Sequence, residues 1–156
     1  MEAELVEGVE FSGSGPGRNW GDTVFRHCSF DDIDSDGLNF DGVMIGCTLS
    51  RVQAYWGLFN TATIVNVTFQ DCVFPGTSFR GCTLVSCTFL RCRFVRDNLG
   101  GSCTVDGCML TECRFEACEF EHRQGRTQSI FTADNRYYGC KLVACRGLAG
   151  VRGLTT

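Results

Sequence analysis

The sequence predicts an all-β fold, a single-domain β-solenoid, and three observations carry that prediction. Large apolar residues recur every five positions: Phe59, Ile64, Phe69, Phe74, Phe79, Leu84, Phe89, Phe94 and Leu99. Two residues before most of these centres stands a small or β-branched side chain, and all twelve cysteines fall in that slot, eleven of them before Phe, Leu or Val and Cys145 before Gly147. The 3.6-residue spacing of an amphipathic helix is missing, and a strict period of five drifts around a helix. On extended backbone, residues two apart share a side, so each pentapeptide offers one large and one small inward side chain before it turns. Segments of this kind cannot bury a core alone and do so by stacking.

The elements follow in chain order. Residues 1–19 carry no repeat and are expected to cap the N-terminal end. The solenoid is expected over residues 20–147, opening with centres Phe25, Phe30, Ser35, Phe40 and Ile45. One residue is missing before Leu49, after which Leu49 and Ala54 lead into the uninterrupted run. A one-residue insertion near Gly100–Gly101 precedes Val105, Leu110, Phe115 and Phe120. From Phe120 to Leu142 the count exceeds a whole coil by two, which predicts a bulge or short loop near His122–Thr127. Tyr137 and Leu142 complete the repeats, and residues 148–156 form a tail or second cap.

The cysteines read as the small inward residues of the coil, since free cysteine behaves as a small hydrophobe and is among the most buried residue types. No C-x-x-C occurs and there are only two histidines, His27 and His122. A closed tetrahedral thiolate site would displace the Phe ladder, so no metal and no other cofactor is expected. Cysteines one coil apart, such as Cys72 and Cys92, lie within disulfide range, but free thiols suit a reducing compartment.

With units such as CTFLR, CRFVR and CRFEA, residues 20–147 resemble the pentapeptide-repeat family, in a Cys-x-Phe/Leu variant of its A-(D/N)-L-x-x unit. The resemblance implies a right-handed quadrilateral β-helix with four pentapeptides per coil, hence about six coils. It also implies an alternative function. Some family members mimic DNA, bind DNA gyrase or topoisomerase IV and protect it from quinolones.

Composition narrows the function classes. The N-terminus is acidic and shows no signal-peptide pattern, and no apolar run approaches the roughly 20 residues of a membrane span, so a cytoplasmic protein without a membrane partner is expected. The net charge of −4 hides an asymmetry: residues 1–50 hold ten acids and two bases (−8), and residues 51–156 hold eight acids and twelve bases (+4). The two ends should therefore carry opposite potentials. Catalysis finds no support. Cys28 adjoins His27, but strand neighbours point to opposite sides. Asp32, Asp34, Asp36 and Gly37 match the start of a calcium loop, yet position 43, where a glutamate is needed, is Val43.

What remains is surface. Val24, Met44, Val65 and Val85 mark a charge-poor outward strip, a candidate interaction face. Tyr55 and Trp56 are a candidate aromatic anchor on the opposite side. Asp31, Asp36 and Asp41 follow consecutive centres and should ring the first coil, while acids and bases alternate along the Phe30 face, contrary to a DNA-like stripe. Arg91, Arg93, Arg96 and Arg114 form a small basic patch in an acidic chain, which argues against direct nucleic-acid binding. The expectation is a non-enzymatic, rigid interaction module of the bacterial cytosol with a protein partner, or self-association as a homodimer.

Overall fold

The computed structural model describes residues 3–13, 15–16, 19–121, 129–148 and 154. Extended pentapeptides with inward centres leave the chain one option, to climb, and it does so as a four-faced parallel β-solenoid. The first face stacks seven strands, Glu4–Glu7, Thr23–Arg26, Val43–Ile45, Thr63–Val65, Thr83–Val85, Met109–Thr111 and Arg136–Tyr138. The second and third faces merge into one ten-stranded sheet, because Ser29–Asp36 and Thr48–Tyr55 each run around a corner for eight residues. The fourth face stacks Asn19–Gly21, Asn39–Phe40, Leu58–Asn60, Ser78–Arg80 and Thr104–Asp106. The coil count differs slightly from six, because the N-terminal segment supplies two strands of its own. Glu4–Glu7 pairs in parallel with Thr23–Arg26, and Glu10–Gly13 with Ser29–Asp36.

Registers run centre over centre: Phe69 pairs with Leu49 below and Phe89 above. The aromatic centres consequently stack. Phe89 lies 4.5 Å from Phe69 and 4.7 Å from Phe115, each ring nearly parallel to the next. Burying one such ring contributes about 2–3 kcal/mol, and the space left among Phe79, Leu84, Phe89 and Phe94 is a void of only about 10 Å³. Where the third-face centre shrinks to Ser35, the next small slot holds Leu38, and both are buried.

Most corners turn by a left-handed residue. Among the described residues, all twelve non-glycine residues with positive φ, from His27 to Ala144, fall two positions after a centre. Gly42 and Arg96 hold that position after Phe40 and Phe94 but lack positive φ, and the five-residue frame slips at both.

The first slip corrects the expected register. Met44 is fully buried and Ile45 is exposed, so the missing residue lies between Phe40 and Met44 rather than before Leu49. Gly42 permits it: a Cβ there would stand 2.1 Å from the Thr23 carbonyl oxygen. The second slip is larger than one residue. Leu99 is 78 % exposed, and Val105 stacks on Phe79, so the chain uses eleven residues to pass from the Phe94 centre to the next. Val105 therefore belongs to the fourth face, Leu110 to the first and Phe115 to the second. The expected bulge at His122–Thr127 lies outside the described residues. Phe131 bridges to Val105 on the fourth face, and Tyr137 and Leu142 stack on Leu110 and Phe115.

Candidate interaction faces

On the first face, the residues flanking each centre point outward in two columns. Before the centres run Leu5, Val24, Val43, Thr63, Thr83, Met109 and Arg136; after them run Glu7, Arg26, Ile45, Val65, Val85, Thr111 and Tyr138. Val24, Val65 and Val85 are half-buried members of these columns. Met44 is not: it points into the core, and Val43 and Ile45 take the outward places on its course. From Val43 to Thr111, four courses pass without a charge over roughly 14 Å at the usual strand spacing. Charges return only at the ends, with the Arg26–Glu7 ion pair (2.8 Å) and with Arg136. Of the seven exposed large hydrophobics among the described residues, Leu5, Ile45, Met109 and Tyr138 lie on this face. Sequence reasoning missed the last two because the slip at Leu99 had put Val105 on this face.

Tyr55 and Trp56 stand on the third face with ring centroids 4.7 Å apart. They hold the chain's own insertion. The Trp56 indole N–H donates to Asp97 Oδ2 (2.6 Å), the Asn98 backbone N–H donates to the Tyr55 hydroxyl (2.7 Å), and that hydroxyl donates to Asn98 Oδ1. Asp97 also accepts from the Leu99 and Gly101 N–H groups, and these bonds, Gly101 first, hold its carboxyl below the ordinary range. Trp56 keeps 44 % of its surface exposed.

The acids of the first full coil sit on three faces, Asp31 on the second, Asp36 on the third and Asp41 on the fourth. On the second face, acids and bases on adjacent courses join: Arg51 Nη2 reaches Asp31 Oδ1 at 2.5 Å, and Arg91 grips both Asp71 oxygens at 2.8 and 3.2 Å. The Arg91 guanidinium holds the Asp71 carboxyl below its usual range. The basic patch is likewise paired, Arg93 with Glu119, Arg96 with Glu121 and Arg114 with Glu116.

The twelve thiols are free, eleven buried and Cys145 half-buried. Each donates to the carbonyl of the centre one course below, for example Cys47 to Phe25 (3.3 Å) and Cys118 to Phe89 (3.1 Å). Thr77, in the same slot, donates its hydroxyl to the Ala54 carbonyl. Among the described residues, no group of three or more His, Cys, Asp or Glu side chains could hold a metal ion.

A four-faced parallel coil with five-residue sides, filled by its own side chains, defines a β-solenoid of the pentapeptide-repeat class. The comparison with known families agrees: residues 64–99 match the model of pentapeptide repeats in eight copies. Residues 64–99 are therefore pentapeptide-repeat sequence. Among curated proteins nothing matches. Among solved structures, it is similar to trypsin-treated QnrB1, a plasmid-mediated fluoroquinolone resistance protein, at 14 % identity over 97 % of this chain and 86 % of that one, with a TM-score of 0.40. Full-length QnrB1 aligns at 15 % identity over 96 % and 90 %, with a TM-score of 0.28. HetL, a pentapeptide-repeat protein of the cyanobacterium Nostoc involved in regulating heterocyst differentiation, aligns at 9 % identity over 91 % and 86 %, with a TM-score of 0.16. Nothing about partners follows from likenesses this distant. Among the described residues, no helix is long and apolar enough to cross a membrane.

Proposed function

We propose that the chain is a non-enzymatic protein-interaction module of the cytoplasm whose partner docks on the first face. One observation carries this reading: eight consecutive outward positions on four courses, from Val43 to Thr111, hold only Val, Ile, Met and Thr. A rigid, flat, uncharged parallel surface of this extent is unusual on a chain with 21 % charged residues and suits a contact. Twelve cysteines outside any disulfide suit a reducing compartment.

The test is a paired set of variants. Val65→Arg with Val85→Arg alters two stacked outward side chains and leaves the inward Ile64 and Leu84 in place. Burying two unpaired cations at a contact costs several kcal/mol, enough to abolish a micromolar association. The circular dichroism spectrum should stay unchanged and any partner recovered by cross-linking the wild type should be lost. Tyr55→Ala with Trp56→Ala should retain it. Retention of the partner by the arginine pair would refute the reading. The alternative, a DNA mimic acting on gyrase or topoisomerase IV, is weakened by Asp31 and Asp71 being neutralised by Arg51 and Arg91. Protection of gyrase from a quinolone in a supercoiling assay would restore it.

A further inference from the structure

We propose that cysteines stacked on adjacent courses form two-sulfur sites for a soft, linearly coordinated metal ion, mercury(II) being the ion whose charge they match. The cysteines are not spread evenly over the coil. Cys72, Cys92, Cys118 and Cys145 stand one above another at the corner that opens the third face, because Val73, Arg93, Glu119 and Arg146 pair in register. Cys28 stacks under Cys47, Cys82 under Cys108, and Cys87 under Cys113 and Cys140. Cys103 stands outside these stacks, with Thr77 in its slot on the course below and Ser129 on the course above.

Spacing decides what a stacked pair can hold. Each thiol of the four-membered stack donates to the carbonyl of the centre one course below: Cys72 to Leu49 (3.4 Å), Cys92 to Phe69 (3.3 Å), Cys118 to Phe89 (3.1 Å) and Cys145 to Phe115 (3.2 Å). The side chains therefore share one orientation, and their equivalent atoms repeat at the strand spacing of about 4.8 Å. A disulfide needs Cβ atoms about 3.8 Å apart, so joining two of these sulfurs directly would draw the courses together. Two thiolate–metal bonds of about 2.3 Å, set in line, span about 4.6 Å. The stack supplies that span without moving. Zinc would need four ligands converging on one point, and the Phe ladder occupies that space. A linear ion lies within the stack, beside the rings.

Burial then sets the charge. Cys72, Cys92 and Cys118 are buried, so a loaded site must be close to neutral. Each sulfur donates a hydrogen bond and thus carries its proton. Uptake of one ion breaks two S–H bonds, forms two S–metal bonds and releases two protons. A divalent ion leaves the pair uncharged, a monovalent one leaves a buried negative charge, and no oxidant or reductant takes part. Sulfur ligands favour soft ions. Cys145, half-buried at the end of its stack, is the point of entry.

Anaerobic titration of the full chain with mercury(II) chloride in a pH-stat tests this. The wild type should release two protons per ion for the first five equivalents, two ions in the four-membered stack and one in each of the other three. These ions should survive dialysis against a competing monothiol, which strips ions held by a single sulfur. The circular dichroism spectrum should persist and the melting temperature should rise, because the ions bind the folded chain. Zinc(II) should release no protons. Cys92→Ala with Cys118→Ala leaves Cys72 and Cys145 without stacked neighbours and should lower the retained count from five to three, whereas Cys103→Ala should leave it at five. Circular dichroism checks that both variants fold. Loss of the β spectrum on loading, one proton per ion, or equal counts in the wild type and the double variant would overturn the proposal.

Discussion

The Cys92 thiol donates to the backbone carbonyl of Phe69, 3.3 Å away and one course below. The same bond, from slot to lower centre, is made by every cysteine in the chain, which accounts for cysteine where the usual repeat has alanine. Cys92→Ala should lose both this weak donor and the volume of the sulfur, and cost about 1–2 kcal/mol in urea unfolding. Cys92→Ser keeps a donor in the slot. A loss in Cys92→Ser as large as in Cys92→Ala would show that the sulfur's volume and not its bond matters, and a null effect of the alanine change would contradict both roles.

Burial raises the Cys103 thiol to about 12 from an ordinary 9.0. Above pH 9 the unfolded thiol is ionised and the folded one is not, so the unfolded state binds fewer protons and stability falls as pH rises from about 9 towards 12. Below about pH 9 this contribution is constant. Thermal melts at increasing alkalinity should show the decline, and Cys103→Ala should make it shallower. A slope unchanged by the substitution would contradict a buried Cys103.

Phe89→Ala should cost about 3–5 kcal/mol, the usual loss for a buried ring. Phe89 stacks on Phe69 below and Phe115 above, so both neighbouring courses lose a partner. Chemical denaturation measures it; a loss below about 1 kcal/mol would mean that the ring is not in the ladder.

The period of five was legible because inward centres and small slots differ in size, and it placed Phe25 to Phe40 and Leu49 to Phe94 correctly. It failed where the frame slips. Met44 and Ile45 are both apolar, and hydrophobicity does not choose between them; the close approach of Gly42 to Thr23 does, through a glycine that needs no Cβ. Leu99 kept the period by accident, and the following Gly100–Gly101 pair was the signal that the chain leaves the stack there. The first-face strip was legible at Val24, Val65 and Val85 because the frame was intact around them. Tyr55 and Trp56 read as a free anchor because their partners Asp97 and Asn98, some forty residues away, sit in that same insertion.

Asp97→Ala should release the 97–101 insertion without unfolding the coil. Proteolysis should then cut near the exposed Leu99, and the Trp56 fluorescence should change. Because the bonds to Gly101, Trp56 and Leu99 hold the Asp97 carboxyl below its unfolded value of 3.8, the clasp is complete above that pH and is lost as pH falls through the folded value. The wild-type Trp56 signal should follow that acid transition, and the alanine variant should lack it. An identical titration in both would show that Asp97 does not hold the loop.

The inward register of the cysteines is tested most directly by counting reactive thiols in the native protein. Access limits thiol reactivity as much as ionisation does. Brief alkylation without denaturant, read by mass spectrometry, should modify Cys145 first and leave the eleven buried cysteines unmodified, all twelve reacting after denaturation. Rapid native labelling of Cys72, Cys87 or Cys92 would place those thiols on the surface and contradict the four-faced register on which the proposed contact face and the stacked-thiol sites both rest.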